Sequence, residues 1–136
     1  MTDLGTFGGA YGDPAWINDE GDVVGASTYL DGTQHGALWS NGAIKDIGVF
    51  AGDCYSFAWF VNSRRQVTGE AGRCDGSPSH AVLWENGSLV DLNTLVPSTS
   101  ILHLTKALSI NDRGEIAGNG VLPSGDQHAF LLIPCD

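Results

Sequence analysis

The side chains with chemical potential in this chain recur at matched positions. His35, His80 and His128 each open the same short block. The blocks read His35-Gly36-Ala37-Leu38-Trp39, His80-Ala81-Val82-Leu83-Trp84 and His128-Ala129-Phe130-Leu131-Leu132. Imidazoles from successive repeats would suit a transition metal. Equivalent positions in a ring, however, stand a repeat's width apart, too far to share one ion through bonds of about 2.1 Å. The expectation is therefore that each His hydrogen-bonds a neighbouring repeat, with no metal and no cofactor. Asp19, Glu20 and Asp22, with Asp112 and Glu115, crowd two turns and suggest a calcium loop. Their spacing misses the EF-hand pattern and lacks its distal bidentate Glu. Solvated turn acids account for them. Arg64 and Arg65 stand at the corresponding turn of the middle repeat. A basic turn between two acidic ones implies charge complementarity, or a contact point for a ligand.

Aromatic residues offer a second chemistry. Trp16, Trp59, Trp39 and Trp84 recur in pairs and are expected to pack between repeats. Tyr11, Tyr29 and Tyr55 fall in or beside loops, where a ring can stack on a sugar face. His103 sits in an insertion with Ile101, Leu102 and Leu104, which is either a local plug for the core or the lip of a pocket. No nucleophile elbow, zincin motif, phosphate-binding loop or CxxC pair is present. No enzyme is expected.

These residues are positioned by a threefold internal repeat, with approximate bounds 3–45, 46–90 and 91–136 in one domain. Asp3-Leu4-Gly5, Asp46-Ile47-Gly48 and Asp91-Leu92-Asn93 correspond. So do Ile17-Asn18-Asp19-Glu20-Gly21, Val61-Asn62-Ser63-Arg64-Arg65 and Ile110-Asn111-Asp112-Arg113-Gly114. Asn18, Asn62 and Asn111 hold one structural position, as do Trp39 and Trp84. Asn-Asp-x-Gly between apolar flanks predicts a short hairpin connection, and Asn41-Gly42 and Asn86-Gly87 predict two-residue hairpins. The first repeat thus reads as strands at about Ala15–Ile17, Val23–Thr28, Ala37–Trp39 and Ala43–Ile47. The fold class is all-β, built from three four-stranded antiparallel blade-like repeats. Such units are the size of propeller blades, and three cannot close a ring alone. A dimer making a six-bladed ring, with the Met1–Gly5 strand completing the last blade, is the expected assembly. A β-trefoil, which has three lobes, is the alternative.

Composition narrows the partners. Six Lys and Arg stand against sixteen Asp and Glu, a net charge of −10, which disfavours nucleic acid and anionic membrane surfaces. No membrane span and no signal peptide is read from the sequence. Setting the middle repeat's first hairpin turn at Asn62–Arg65 brings Cys54 opposite Cys74, within disulfide reach. That pair implies an oxidising compartment, extracellular or periplasmic. Cys135 is left over.

The strings Asp3-Leu4-Gly5-Thr6-Phe7-Gly8-Gly9, Ile17 to Gly25 and His-Ala-x-Leu-Trp-x-Asn-Gly resemble the HAF repeat of bacterial extracellular proteins. The family's His-Ala-Phe triplet stands here as His128-Ala129-Phe130. The resemblance covers essentially the whole chain and implies a propeller-like ring. It brings no activity and no catalytic residues. The functional expectation is a non-enzymatic binding or structural module with a protein or glycan partner. A lectin-like carbohydrate binder is the first alternative, and a hydrolase with an axial pocket is the second.

Overall fold

The chain reverses where its Asn, Asp and Gly residues demand it. In the two Asn-Gly hairpins both central residues hold positive φ, Asn41 at 52° with Gly42 at 78° and Asn86 at 53° with Gly87 at 81°. These are type I′ turns, whose twist matches the flanking strands. Each Asn-centred turn closes with an amide three residues on donating to the Asn carbonyl, from Gly21, Arg65 and Gly114. The computed structural model describes residues 1–135; Asp136, the last residue of the third repeat, lies outside the described residues.

Eleven strands result among the described residues. The first sheet holds β1 (Gly12–Ile17), β2 (Val23–Thr28), β3 (Gln34–Ser40) and β4 (Ala43–Asp46) in sequential antiparallel order. The second holds β5 (Tyr55–Val61), β6 (Val67–Gly72), β7 (His80–Glu85) and β8 (Ser88–Asp91) in the same order. The third holds β9 (His103–Ile110), β10 (Ile116–Val121) and β11 (Gln127–Leu132). No sheet closes into a barrel, the feature a trefoil needs. The protein is all-β with three separate blade-like sheets. The first and third strands of the first repeat run longer than their sequence signals, the ladder with β2 continuing through Gly12–Pro14 and through Gln34–Gly36.

The third sheet has three strands, one fewer than the repeat pattern predicts. Residues 1–5 carry no strand and do not pair with β11 within the chain. They lie instead beside the first sheet, where the Trp39 indole N–H donates to the Gly5 carbonyl at 3.2 Å.

Sheets stack face to face in chain order. β5 packs on β1, β2 and β3, while β9 packs on β5, β6 and β7. The first junction buries Val24 and Leu38 against Ile47, Ala58, Val61 and Val67. The second buries Ala81, with Phe60 and Leu83, against Leu92, Leu104, Ala107, Ile110 and Ile116. Burying each large aliphatic side chain contributes about 1.5–3 kcal/mol. In the insertion, Leu102 and Leu104 join this second core while Ile101 stays in solvent. The plug reading therefore describes the insertion, and His103 Nε2 donates to the Ser79 carbonyl beneath it.

Every sheet has a bulge in its first strand, at Ala15, Trp59 and Leu108. The bulge turns a carbonyl over the facing strand, and there the repeat places Gly25, Gly69 and Gly118. A Cβ at Gly69 would stand 2.0 Å from the Phe57 carbonyl oxygen and 3.1 Å from the Ala58 Cα, both backbone atoms that have no room to yield. The same bulge shifts the register, so Cys54 and Cys74 are slightly offset. They nevertheless form the disulfide, with Cα atoms 5.9 Å apart. Cys135 is a free, exposed thiol. Gly69→Ala is expected to cost more than about 3 kcal/mol or to abolish folding, read as the denaturant midpoint. A loss below about 0.5 kcal/mol would contradict the bulge account.

Candidate functional site

The three repeated asparagines form one connected array. The Asn62 side-chain oxygen accepts from the Arg64 and Gln66 amides at 3.0 and 2.9 Å. Its amide nitrogen donates to Gln66 Oε1 at 2.7 Å and, across the junction, to the Asn111 carbonyl at 2.9 Å. Asn18 repeats the pattern, accepting from Glu20 and Asp22 and donating to Asp22 and to the Asn62 carbonyl at 2.9 Å. Asn111 accepts from Arg113 and Glu115 and donates to Glu115 Oε1 at 2.7 Å. Each asparagine therefore shapes its own turn, and Asn18 and Asn62 also grip the next one. Recurrence exposed these residues in the sequence, but as turn formers; the second amide hydrogen and its target across the junction left no signal.

The charged turns belong to the same face. Asp22 is buried, with Ser40 Oγ donating to one oxygen and Asn18 Nδ2 and Arg65 Nε, both at 3.0 Å, donating to the other. Burial pushes this carboxyl up, yet the hydrogen bonds from Ser40, Asn18 and Arg65 outweigh it and hold it below the usual range. Arg65 takes the left-handed position that glycine fills in the other repeats, at φ 58°. Its ion pair with Asp22 offsets that strain. Arg64 and Ser63 reach the other way, to the Asp112 carbonyl and carboxylate. The Ser63 hydrogen bonds hold the Asp112 carboxyl low. Both arginines are thus engaged between repeats.

Two of the three repeated histidines, His35 and His80, lie beside carboxylates, not the neighbouring repeat's backbone. His35 Nδ1 lies 2.7 Å from Asp46 Oδ2, and the Tyr29 hydroxyl donates to the same oxygen. His80 stands 3.7 Å from both Asp53 and Asp91. His128 is exposed with no such contact. Asp46 raises the Tyr29 phenol to about 12 through that hydrogen bond, with burial adding to it.

A second polar cluster lies between β5, β6 and β9. Glu70 accepts from the Trp59 indole at 2.8 Å and the Tyr55 hydroxyl at 3.3 Å, with Lys106 Nζ 3.9 Å away. Burial, then the Glu70 charge, pushes the Tyr55 phenol up. His103 Nε2 lies 3.1 Å from the Ser79 carbonyl, and its ring meets His80 edge-on at 5.8 Å. Sequence reading missed Glu70 entirely, since its repeat equivalents are Ala26 and Asn119.

Trp39 and Trp84 are buried, and Trp16 stacks on Phe60 across the first junction with ring centres 4.5 Å apart. Of the three loop tyrosines, Tyr11 alone keeps an open ring, at 70% exposure. Grooves run along the junctions. One of about 510 Å³ is lined by Lys45, Arg65, Trp84 and the two Asn-Gly turns, and one of about 460 Å³ by Leu92, Leu95, Ile133 and the Arg64 and Arg113 stems. Neither brings a carboxylate, thiolate and imidazole together. Among the described residues no group of three or more His, Cys, Asp or Glu is placed to hold a metal ion. Comparison with family models, curated proteins and solved structures gives no match.

The folded protein holds the Tyr29 proton more tightly than the unfolded chain does, about 12 against 10.0. Its contribution to stability is therefore complete below about pH 10 and lost as pH rises through 12. Absorbance at 295 nm should show one tyrosine ionising near pH 12, and Tyr29→Phe should remove that step. A single common midpoint near pH 10 for all three tyrosines would contradict it.

Proposed function

We propose that this chain is half of a six-bladed propeller-type ring serving as a non-enzymatic scaffold or binding module outside the cytoplasm. The observation that supports this most is how many of its chemically able side chains are engaged. The exceptions include His80 Nδ1, buried without a hydrogen-bond partner, the exposed His128 and the free Cys135 thiol. Asp22, Arg65, Arg64, Asp112, His35, Tyr29 and Glu70 are all engaged in bonds within or between blades. A catalytic group needs a free donor or acceptor aimed into a pocket, whereas these groups hold blades together. The Cys54–Cys74 disulfide suits an oxidising compartment. No helix among the described residues is long and apolar enough to cross a membrane. The HAF-repeat resemblance points to the same exterior setting.

The glycan reading rested on Tyr11, Tyr29 and Tyr55. With the hydroxyls of Tyr29 and Tyr55 engaged by carboxylates, only Tyr11 remains as an open platform. The hydrolase reading needs an axial pocket with a free acid, and the buried Glu70 carboxylate is already bonded to Trp59 and Tyr55.

Electron-microscopic class averages of the purified protein should show a disc of six radial spokes. A compact single-chain particle would contradict the ring. Hydrolysis of ester, glycoside, peptide or phosphoester substrates that Glu70→Gln abolishes would contradict the non-enzymatic reading.

A further inference from the structure

Two faces of the molecule carry core residues without a core. Ile17 is 60% exposed, although its equivalents Val61 and Ile110 are 1% and 2% exposed under the preceding sheet. Leu4 is 45% exposed, against 3% for Ile47 and 0% for Leu92 at the matching position. On the opposite face Leu131 is 60% exposed, whereas its equivalent Leu38 is 1% exposed in the first junction. The leading face of the first sheet and the trailing face of the third are thus the two halves of a junction the chain already builds twice.

The polar groups show the same division. Asp46 and Asp91 each turn one oxygen to an amide two residues on and the other towards the histidine of the adjacent strand. Asp3 makes the same turn, accepting from the Gly5 amide at 2.9 Å, and meets no histidine. Among the described residues His128 meets no aspartate. Asn18 and Asn62 each donate across a junction, and Asn111 has no such partner, while the Asn18 carbonyl accepts only from its own turn. Among the described residues β11 has no strand on its outer edge.

We infer that two copies of this chain dock head to tail, each laying its Met1–Asp3 segment on the other's β11 as a fourth strand. This rests on the ring reading above and names the surfaces that close it. The register follows from the complete sheets, in which Leu38 faces Lys45 and Ala37 faces Asp46. Leu131 therefore faces Thr2, and Phe130 faces Asp3, of the second copy. His128 then meets Asp3, and the Asn111 amide meets the Asn18 carbonyl. Leu131 covers Leu4 and Ile17. Two such contacts are related by a twofold axis and leave no open edge, which removes the aggregation hazard of an unpaired strand.

The test is a cysteine pair, Thr2→Cys with Leu131→Cys, in a Cys135→Ser background, since facing residues in antiparallel strands lie within disulfide reach. Oxidised double variant should run at twice the 14.3 kDa chain mass under non-reducing denaturing conditions, and neither single variant should. Native mass spectrometry of the wild type should give the same doubled mass. Ile17→Asp, a change at a position exposed in the single chain, should give a folded monomer. A wild-type dimer whose cysteines do not bridge would overturn this interface and leave the six-bladed ring standing. A wild-type monomer would overturn both. A bridge formed within one chain, or open polymers larger than a dimer, would overturn closure by a second copy.

Discussion

A side-chain amide that does two jobs holds this structure together. An asparagine at the head of each first hairpin satisfies two turn amides with its oxygen, and in the first two repeats its nitrogen reaches the same turn of the next repeat. The three sheets are separate objects, with no strand shared between them. Apolar contact sets their spacing but permits sliding. The directed bonds from Asn18 to Asn62 and from Asn62 to Asn111 fix how far each sheet is rotated and shifted against its neighbour. A buried polar bond of this kind specifies geometry more than it adds net stability.

Much of the architecture was legible because its signals are local. Asn-Gly admits few backbone conformations, so the type I′ hairpins at Asn41 and Asn86 follow directly. A glycine recurs at positions 25, 69 and 118, but no local signal gives its cause. That cause is a carbonyl approach created by a bulge on the facing strand, a two-strand property. Cys54 and Cys74 were paired from hairpin register, and the bulge at Trp59 shifted that register without separating them. Side-chain partners across junctions were the least legible. Nothing local marks Tyr29 as the donor to Asp46, or Glu70 as the acceptor for Trp59.

The departures from the repeat also have physical reasons. Arg65 occupies a left-handed position that favours glycine, and its guanidinium reaches Asp22 of the preceding repeat. Ser63 replaces an aspartate and leaves room for Asp112 to cap its amide from the next repeat. Both substitutions fall in the middle repeat, the only one with a neighbour on each side within the chain. The third repeat uses its longer entry to bring Leu102 and Leu104 into the second core, and a Cβ at Gly120 would strike Leu102.

The asparagine array is tested most directly by Asn62→Ala, followed by denaturant unfolding at one fixed protein concentration. The substitution removes four hydrogen bonds at a buried site, each worth about 1 kcal/mol with more where a partner is left unsatisfied. A loss of about 3 kcal/mol or more is predicted. A loss under about 0.5 kcal/mol, with the sheets still packed, would show that apolar stacking alone sets the arrangement.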